Sequence, residues 1–207
     1  MDFSILEKKE DYIQKVTDVI GSHNKNILLV APSISDYKEI LNIFSDWKVN
    51  SRWDVVLCPH PATNVNAIKL YQQNYYPHLK IIYETSLRTF ELISASSLVI
   101  CGYSTTAVEA CFFGVRSVRF VNLGTFPIFD YEEIIPVFHD GKSFKKWFDE
   151  QSWDINISDT EKLAMDKLVE RYFYKIDGKS ANRMWDFLNS APDLPHNKKL
   201  DNLSSAS

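Results

Sequence analysis

The sequence predicts an α/β fold, with a parallel sheet of about six strands covered by helices on both faces. Three observations carry that prediction. Short apolar runs rich in strand formers alternate with longer segments of helical periodicity. Several of these runs are continuous rather than alternating, as in strands buried on both faces. The unusual polar residues fall just after the runs, at the strand ends where parallel sheets bind ligands.

Chain length and composition bound the possibilities. The 207 residues suit one ordinary α/β domain. Hydrophobic residues at 45% and charged residues at 24% give an ordinary globular balance. A net charge of -4 argues against a general nucleic-acid or anionic-membrane surface. No apolar run approaches the length of a membrane span, and the opening MDFSILEKKEDY lacks a signal-peptide core. Cys58, Cys101 and Cys111 lie in or beside apolar segments, which predicts buried free thiols in a reducing cytoplasm. Their spacing fits no metal site.

The elements follow in order. Tyr12, Ile13, Val16, Val19 and Ile20 predict an amphipathic helix over residues 4 to 20, stopped by Gly21. Asn26 to Ala31 is a central strand, followed by a loop with Ser33 and a cap at Ser35 or Asp36. Tyr37 to Trp47 has helical spacing. Trp53 to Cys58 is a second strand that runs into Pro59-His60-Pro61, and Thr63 or Asn64 caps the next helix. Leu79 to Tyr83 is a third strand, and Leu87 to Ser94 a helix. Leu98 to Cys101 is the fourth strand, broken by Gly102 and followed by a helix to Gly114. Val115 to Val121 is the fifth strand, Asn122 to Pro127 a loop, and Ile134 to Phe138 a short sixth strand. A short helix covers Ser143 to Glu150. Ser158 to Glu161 form a capping box that opens a helix with Ala164, Leu168, Val169, Tyr172 and Phe173 inward. Asp177-Gly178 is a turn before a last helix, and residues 191 to 207 read as a disordered tail or linker.

The chemistry concentrates in two stretches. Gly-x-Ser-Thr-Thr, with Ser104, Thr105 and Thr106, places three hydroxyls and first-turn amides where a helix begins. First-turn amides lack intrahelical partners and the helix dipole is positive there, so an anion suits the spot. The same residues also suit an ordinary N-cap. His60, between two prolines at a strand end, is held on a stiff segment, where an imidazole can donate to a phosphate oxygen. It also suits a surface histidine in a rigid turn. Glu109, four residues after Thr105, either accepts hydrogen bonds from sugar hydroxyls or complements the helix dipole. Gly-x-Gly-x-x-Gly, the Walker phosphate loop and a G-x-S-x-G elbow are absent. His139-Asp140 and the Asp177 to Arg183 segment fit turns and caps better than chemistry.

Taken together, VVLCPHP, followed some forty residues later by ASSLVICGYSTTAVEACFFGVRSV, resembles the donor-binding domain of GT-B glycosyltransferases. Within that group it is similar to bacterial capsule sialyl- and Kdo-transferases, CDP-glycerol glycerophosphotransferases and relatives of UDP-GlcNAc 2-epimerase. ILLVAPS and FYKIDGKSANR extend the resemblance, in order, over residues 26 to 190. It implies a Rossmann-like domain there, one half of a GT-B fold, with an N-terminal helix over residues 1 to 25. It also implies site roles. His60 and Pro61 of the His-Pro motif meet the nucleotide phosphate, with His60 assisting its departure. Ser104, Thr105 and Thr106 bind the same phosphate, Ser33 lines the crevice, and Glu109 holds a ribose or sugar hydroxyl. The expected substrates are a CMP-, UDP- or CDP-linked sugar and a glycan acceptor in capsule or surface-polysaccharide synthesis, without a metal or other cofactor. A second GT-B half is expected from another chain or a second copy. The last helix would be the element that crosses to it, exposing Trp185 and Phe187. The setting is cytoplasmic, beside the inner membrane only through a partner. An epimerase-like enzyme and a non-catalytic nucleotide-binding or assembly module are the alternatives. Ser96-Ser97 replaces the aspartate often seen before the fourth strand in that group.

Overall fold

The computed structural model describes residues 4–22, 26–45, 47–121, 134–153, 157–175 and 177–190. Six strands form one sheet: β1 (Asn26–Ala31), β2 (Trp53–Leu57), β3 (Ile81–Tyr83), β4 (Leu98–Cys101), β5 (Arg116–Phe120) and β6 (Val137–Phe138). The order is β3-β2-β1-β4-β5-β6, and every pairing is parallel. The central strands are the continuous apolar runs NILLVA and LVIC, and they sit side by side with Leu28 opposite Leu98. Continuous apolarity is what a strand covered on both faces requires.

Alternate strand residues point to opposite faces. Leu28, Val30, Val55, Leu57, Leu98, Ile100, Val118 and Phe120 form one face. The helices α3 (Tyr37–Leu41), α4 (Val65–Tyr75) and α7 (Gly141–Glu150) cover it, with a 3-10 turn over Asn42–Phe44. An aromatic cluster seats α7: Trp47 stacks on Phe44 at 5.6 Å and meets Phe148 at 4.5 Å. Gly141 is required there, because a Cβ would stand 2.6 Å from the Ile43 carbonyl oxygen.

The other face carries α2 (Lys9–Ile20), α5 (Thr89–Ser94), α6 (Thr106–Phe112) and α8 (Asp159–Phe173), which pack on one another in that sequence. Polar ties fix this layer. Lys15 Nζ donates to Glu91 at 2.7 Å, and Lys9 Nζ donates to the Phe113 carbonyl at the end of α6 at 2.8 Å. Arg116 grips Glu161 on α8 with two parallel bonds of 2.8 and 3.1 Å. The amino-terminal helix is therefore an integral layer of the body, preceded by one short turn, α1 (Ser4–Glu7).

The helix expected from Tyr37 to Trp47 is shorter and passes into the 3-10 turn, and the first strand takes the predicted residues. In α8 the buried residues are Met165, Leu168 and Val169. Met165 joins the expected inward set, in which Ala164, Tyr172 and Phe173 are half-buried. Residues 4–174 form one compact unit. The stretch from 175 onward is a second unit, whose α9 (Ser180–Ser190) is opened by Asp177 accepting two bonds from Arg183 at 2.7 Å. Met184, Trp185, Phe187 and Leu188 of α9 are exposed. The loop expected at 122 to 127 and the tail at 191 to 207 lie outside the described residues.

Candidate functional site at the carboxyl edge of the sheet

The strand order reverses between β1 and β4, and open parallel sheets bind ligands beside such a reversal, beyond the strand carboxyl ends. Register brings the expected polar residues to that edge. The Cys58 amide continues the β2 pairing to the Val30 carbonyl at 2.9 Å, and the Glu84 amide continues β3 to the Leu57 carbonyl at 3.0 Å. The loop holding His60 therefore leaves the sheet beside the Ser33 loop, with the Glu84 loop one strand further out and the Ser104 loop on the other side of Ser33.

Each side chain has a definite arrangement. His60 is exposed, and its Nδ1 accepts the Ala62 N–H at 3.1 Å. A ring nitrogen that accepts carries no proton, which leaves Nε2–H as the donor of this ring. The buried Pro59 and the exposed Pro61 flank it. Ser33 is half-buried, and its amide donates to Asp36 Oδ1 at 2.7 Å. Ser104 Oγ accepts the Thr106 N–H at 3.2 Å and shares a 2.6 Å bond with the buried Thr106 hydroxyl. Thr105 is exposed and donates its hydroxyl to Glu109 at 3.1 Å. The three hydroxyls thus form two local pairs along one turn. Two amides there are already committed, that of Thr106 to Ser104 and that of Tyr103 to Asp36.

Glu84 organises its own loop. Its Oε1 accepts the Ser86 amide, the Ser86 hydroxyl at 2.6 Å and the Leu87 amide at 2.9 Å. Burial opposes its charge, yet the Ser86 hydroxyl and these amides outweigh burial and hold the carboxyl below its ordinary value. His139 stands at the end of β6, with Nδ1 facing the Val121 carbonyl at 2.7 Å, and Asp140 caps α7 through the Ser143 amide at 2.7 Å. Among the described residues, no group of three His, Cys, Asp or Glu side chains is placed to hold a metal ion.

Two residues of this edge escaped the sequence reading. Asp36, read as a helix cap, is buried, and its two carboxylate oxygens accept the Ser33 and Tyr103 amides. Arg119 is buried in β5 and donates Nε to the Gly102 carbonyl at 3.0 Å. The signal for Arg119 was an arginine inside VRSVRFV, an apolar strand. Concavities of about 620 and 580 Å³ lie at the opposite edge, among residues such as Trp53, His78 and Lys80 or Ser96, Ser97 and Gly114. They are gaps between strand starts and helix ends, away from the residues described above.

No family model and no curated protein matches the chain. Solved structures do. The wall teichoic acid polymerase TagF superposes with a TM-score of 0.56 at 16% identity, over 86% of this chain and 45% of that one. The C-terminal CMP-Kdo binding domain of WaaA from Acinetobacter baumannii gives 0.54 at 12%, over 81% of this chain and 99% of that domain. HepE from Anabaena, in complex with UDP and glucose, gives 0.55 at 14%, over 87% and 52%. The chain therefore has the Rossmann-like α/β architecture of a GT-B half-domain. It spans about half the length of the polymerase and of HepE.

Proposed function

We propose that the chain is the donor-nucleotide-binding half of a GT-B glycosyltransferase, transferring a sugar from a CMP-, UDP- or CDP-linked donor in surface-polysaccharide synthesis. One observation carries the reading: His60, Ser33 and the Ser104 to Thr106 turn leave the sheet on neighbouring strands at the order reversal, in a domain that matches a CMP-Kdo binding domain over 99% of its length. Bond cleavage at the anomeric carbon leaves negative charge on the departing phosphate. Fixed donors aimed at that charge lower the barrier without reorganising. His60, beside Pro61, supplies the Nε2–H donor. The hydroxyls of Ser104 and Thr106 swing from their shared bond, and that of Thr105 from Glu109, to the phosphate oxygens, and Ser33 lines the floor. Glu109, released by Thr105, takes a ribose or sugar hydroxyl. These donors do the work that a metal does elsewhere, so no metal is assigned. The acceptor and its base belong to a second half, supplied by another chain or a second copy.

The test is thermal unfolding of the chain with CMP, CDP, UDP and GDP in excess. A ligand at a hundred times its Kd stabilises by about 2.7 kcal/mol, a shift of several degrees. One nucleotide is expected to produce it, and Thr105→Ala with His60→Ala to abolish it. Stabilisation by none of the four overturns the reading for this half alone. Turnover of a UDP-sugar without acceptor would instead indicate an epimerase-like enzyme.

A further inference from the structure

The loops after β1 and β4 meet at one buried carboxylate. Asp36 is 3% exposed, and its oxygens are divided between the loops. Oδ1 accepts the Ser33 amide at 2.7 Å, and Oδ2 accepts the Tyr103 amide at 3.3 Å. The approach to the β4 loop is close enough to exclude a side chain, since a Cβ on Gly102 would stand 2.1 Å from Oδ2 and 2.8 Å from the carboxyl carbon. Gly102 is held from a second element as well, by the Arg119 Nε bond to its carbonyl. A glycine placed between a buried carboxylate and a buried guanidinium has little freedom left. Its position sets where the next residues, Ser104 to Thr106, begin.

We propose that Asp36 is the positioning residue of this crevice. It locks the β4 loop, with its three hydroxyls, to the β1 loop, with Ser33, across the reversal in strand order. It also decides where a ligand anion rests. The Ser33 and Tyr103 amides are donors of the two loops, and the Asp36 carboxylate already occupies both. A phosphate is thereby kept from the floor and directed outward to the Ser104 to Thr106 turn. This inference rests on the nucleotide-binding reading above.

The chemistry of the carboxylate makes the proposal testable. Both oxygens accept, so one side chain serves two amides. Asparagine keeps the shape but offers one accepting oxygen, and its NH₂ would face an N–H. One loop is then left with a buried unpaired amide. The control is Glu91→Gln. Glu91 is also a buried carboxylate with two partners, Lys15 and the Arg88 amide, but it lies on α5 and ties that helix to α2.

The experiment measures amide hydrogen exchange and nucleotide affinity in the full chain, well below its melting temperature. In Asp36→Asn, the Tyr103 to Thr106 amides are expected to exchange about tenfold faster, since hydrogen bonds to charged groups are worth about that factor or more. The Kd for whichever nucleotide the wild type binds is expected to rise about tenfold. Glu91→Gln is expected to lower the melting temperature while leaving both readings unchanged. Unchanged protection at Tyr103, or an affinity equal to that of the wild type, overturns the proposal. A wild type that binds no nucleotide overturns the donor-binding reading, and exchange at Tyr103 to Thr106 still decides whether Asp36 locks the loops. If Asp36→Asn does not fold, Gly102→Ala, which keeps the carboxylate but displaces it, is read by the same two measurements.

Discussion

Single residues at the carboxyl edge are specified by what their other atoms are already doing. His60 and His139 show this, because their Nδ1 atoms play opposite roles. His60 accepts at Nδ1 and so presents an N–H at Nε2. His139 faces the Val121 carbonyl with Nδ1, so that nitrogen donates to the backbone. An Nε2 donor is what the role proposed for His60 beside a departing phosphate requires. His60→Gln keeps an N–H donor of similar reach, whereas His60→Ala removes it. Calorimetric titration with the bound nucleotide should show His60→Ala losing about tenfold in affinity, as for a hydrogen bond to a charged acceptor, and His60→Gln losing much less. Equal losses would mean that ring shape matters rather than the donated proton, and the tautomer assignment would lose its functional weight.

At the scale of elements, the local rules explain most of the fold. Asn64 caps α4 with its side chain accepting the Asn66 and Ala67 amides at 3.0 and 3.3 Å, and Ser158 does the same for α8 through the Glu161 amide at 3.2 Å. Asn64→Ala should therefore destabilise the chain by about 1 kcal/mol in urea unfolding without changing the slope of the transition. A loss near zero would place the start of α4 under the control of Ile68 packing instead. These caps were legible because N-capping is a local event, and the strands because continuous apolarity signals burial on both faces. The crevice floor was not legible. Asp36 and Gly102 are 66 residues apart in sequence, and only the parallel pairing of β1 with β4 brings them together. The same holds for Arg119, whose partner carbonyl lies on the neighbouring strand's exit. The Pro59-His60-Pro61 and Gly102 to Thr106 segments are legible for the opposite reason, since each carries its signal in three to five consecutive residues.

At the scale of the whole molecule, the buried titratable groups set the pH range over which the sheet and its layers hold. Glu84 and Glu91 are both held below the ordinary carboxyl value of 4.5. Burial pushes each the other way and is outweighed, for Glu84 by the Ser86 hydroxyl and loop amides, and for Glu91 by Lys15 and the Arg88 amide. A carboxyl depressed in the folded state adds stability that is complete above its unfolded value and is lost as pH falls through the folded one. Stability should therefore decline below about pH 4.5, and Glu91→Gln should flatten that limb. The thiols act at the other end. Burial raises Cys101 to about 12 and Cys111 to about 11, against an ordinary 9.0, although Arg119 partly offsets it for the first and Ser117 for the second. A thiol kept neutral in the folded state contributes stability below its unfolded value and loses it as pH climbs from there toward the folded one. At one pH unit above the unfolded value, each such thiol costs about 1.4 kcal/mol, or about 2.8 for the pair. Melting temperatures should form a plateau with an alkaline fall beginning near pH 9, and Cys111→Ala should remove part of that fall between pH 9 and 10 while lowering the plateau itself, with Cys101 and Cys58, whose thiol burial also raises, sharing the rest. An alkaline limb unchanged by Cys111→Ala would mean that other groups, Tyr76 among them with its hydroxyl pushed up to about 12, govern the upper limit.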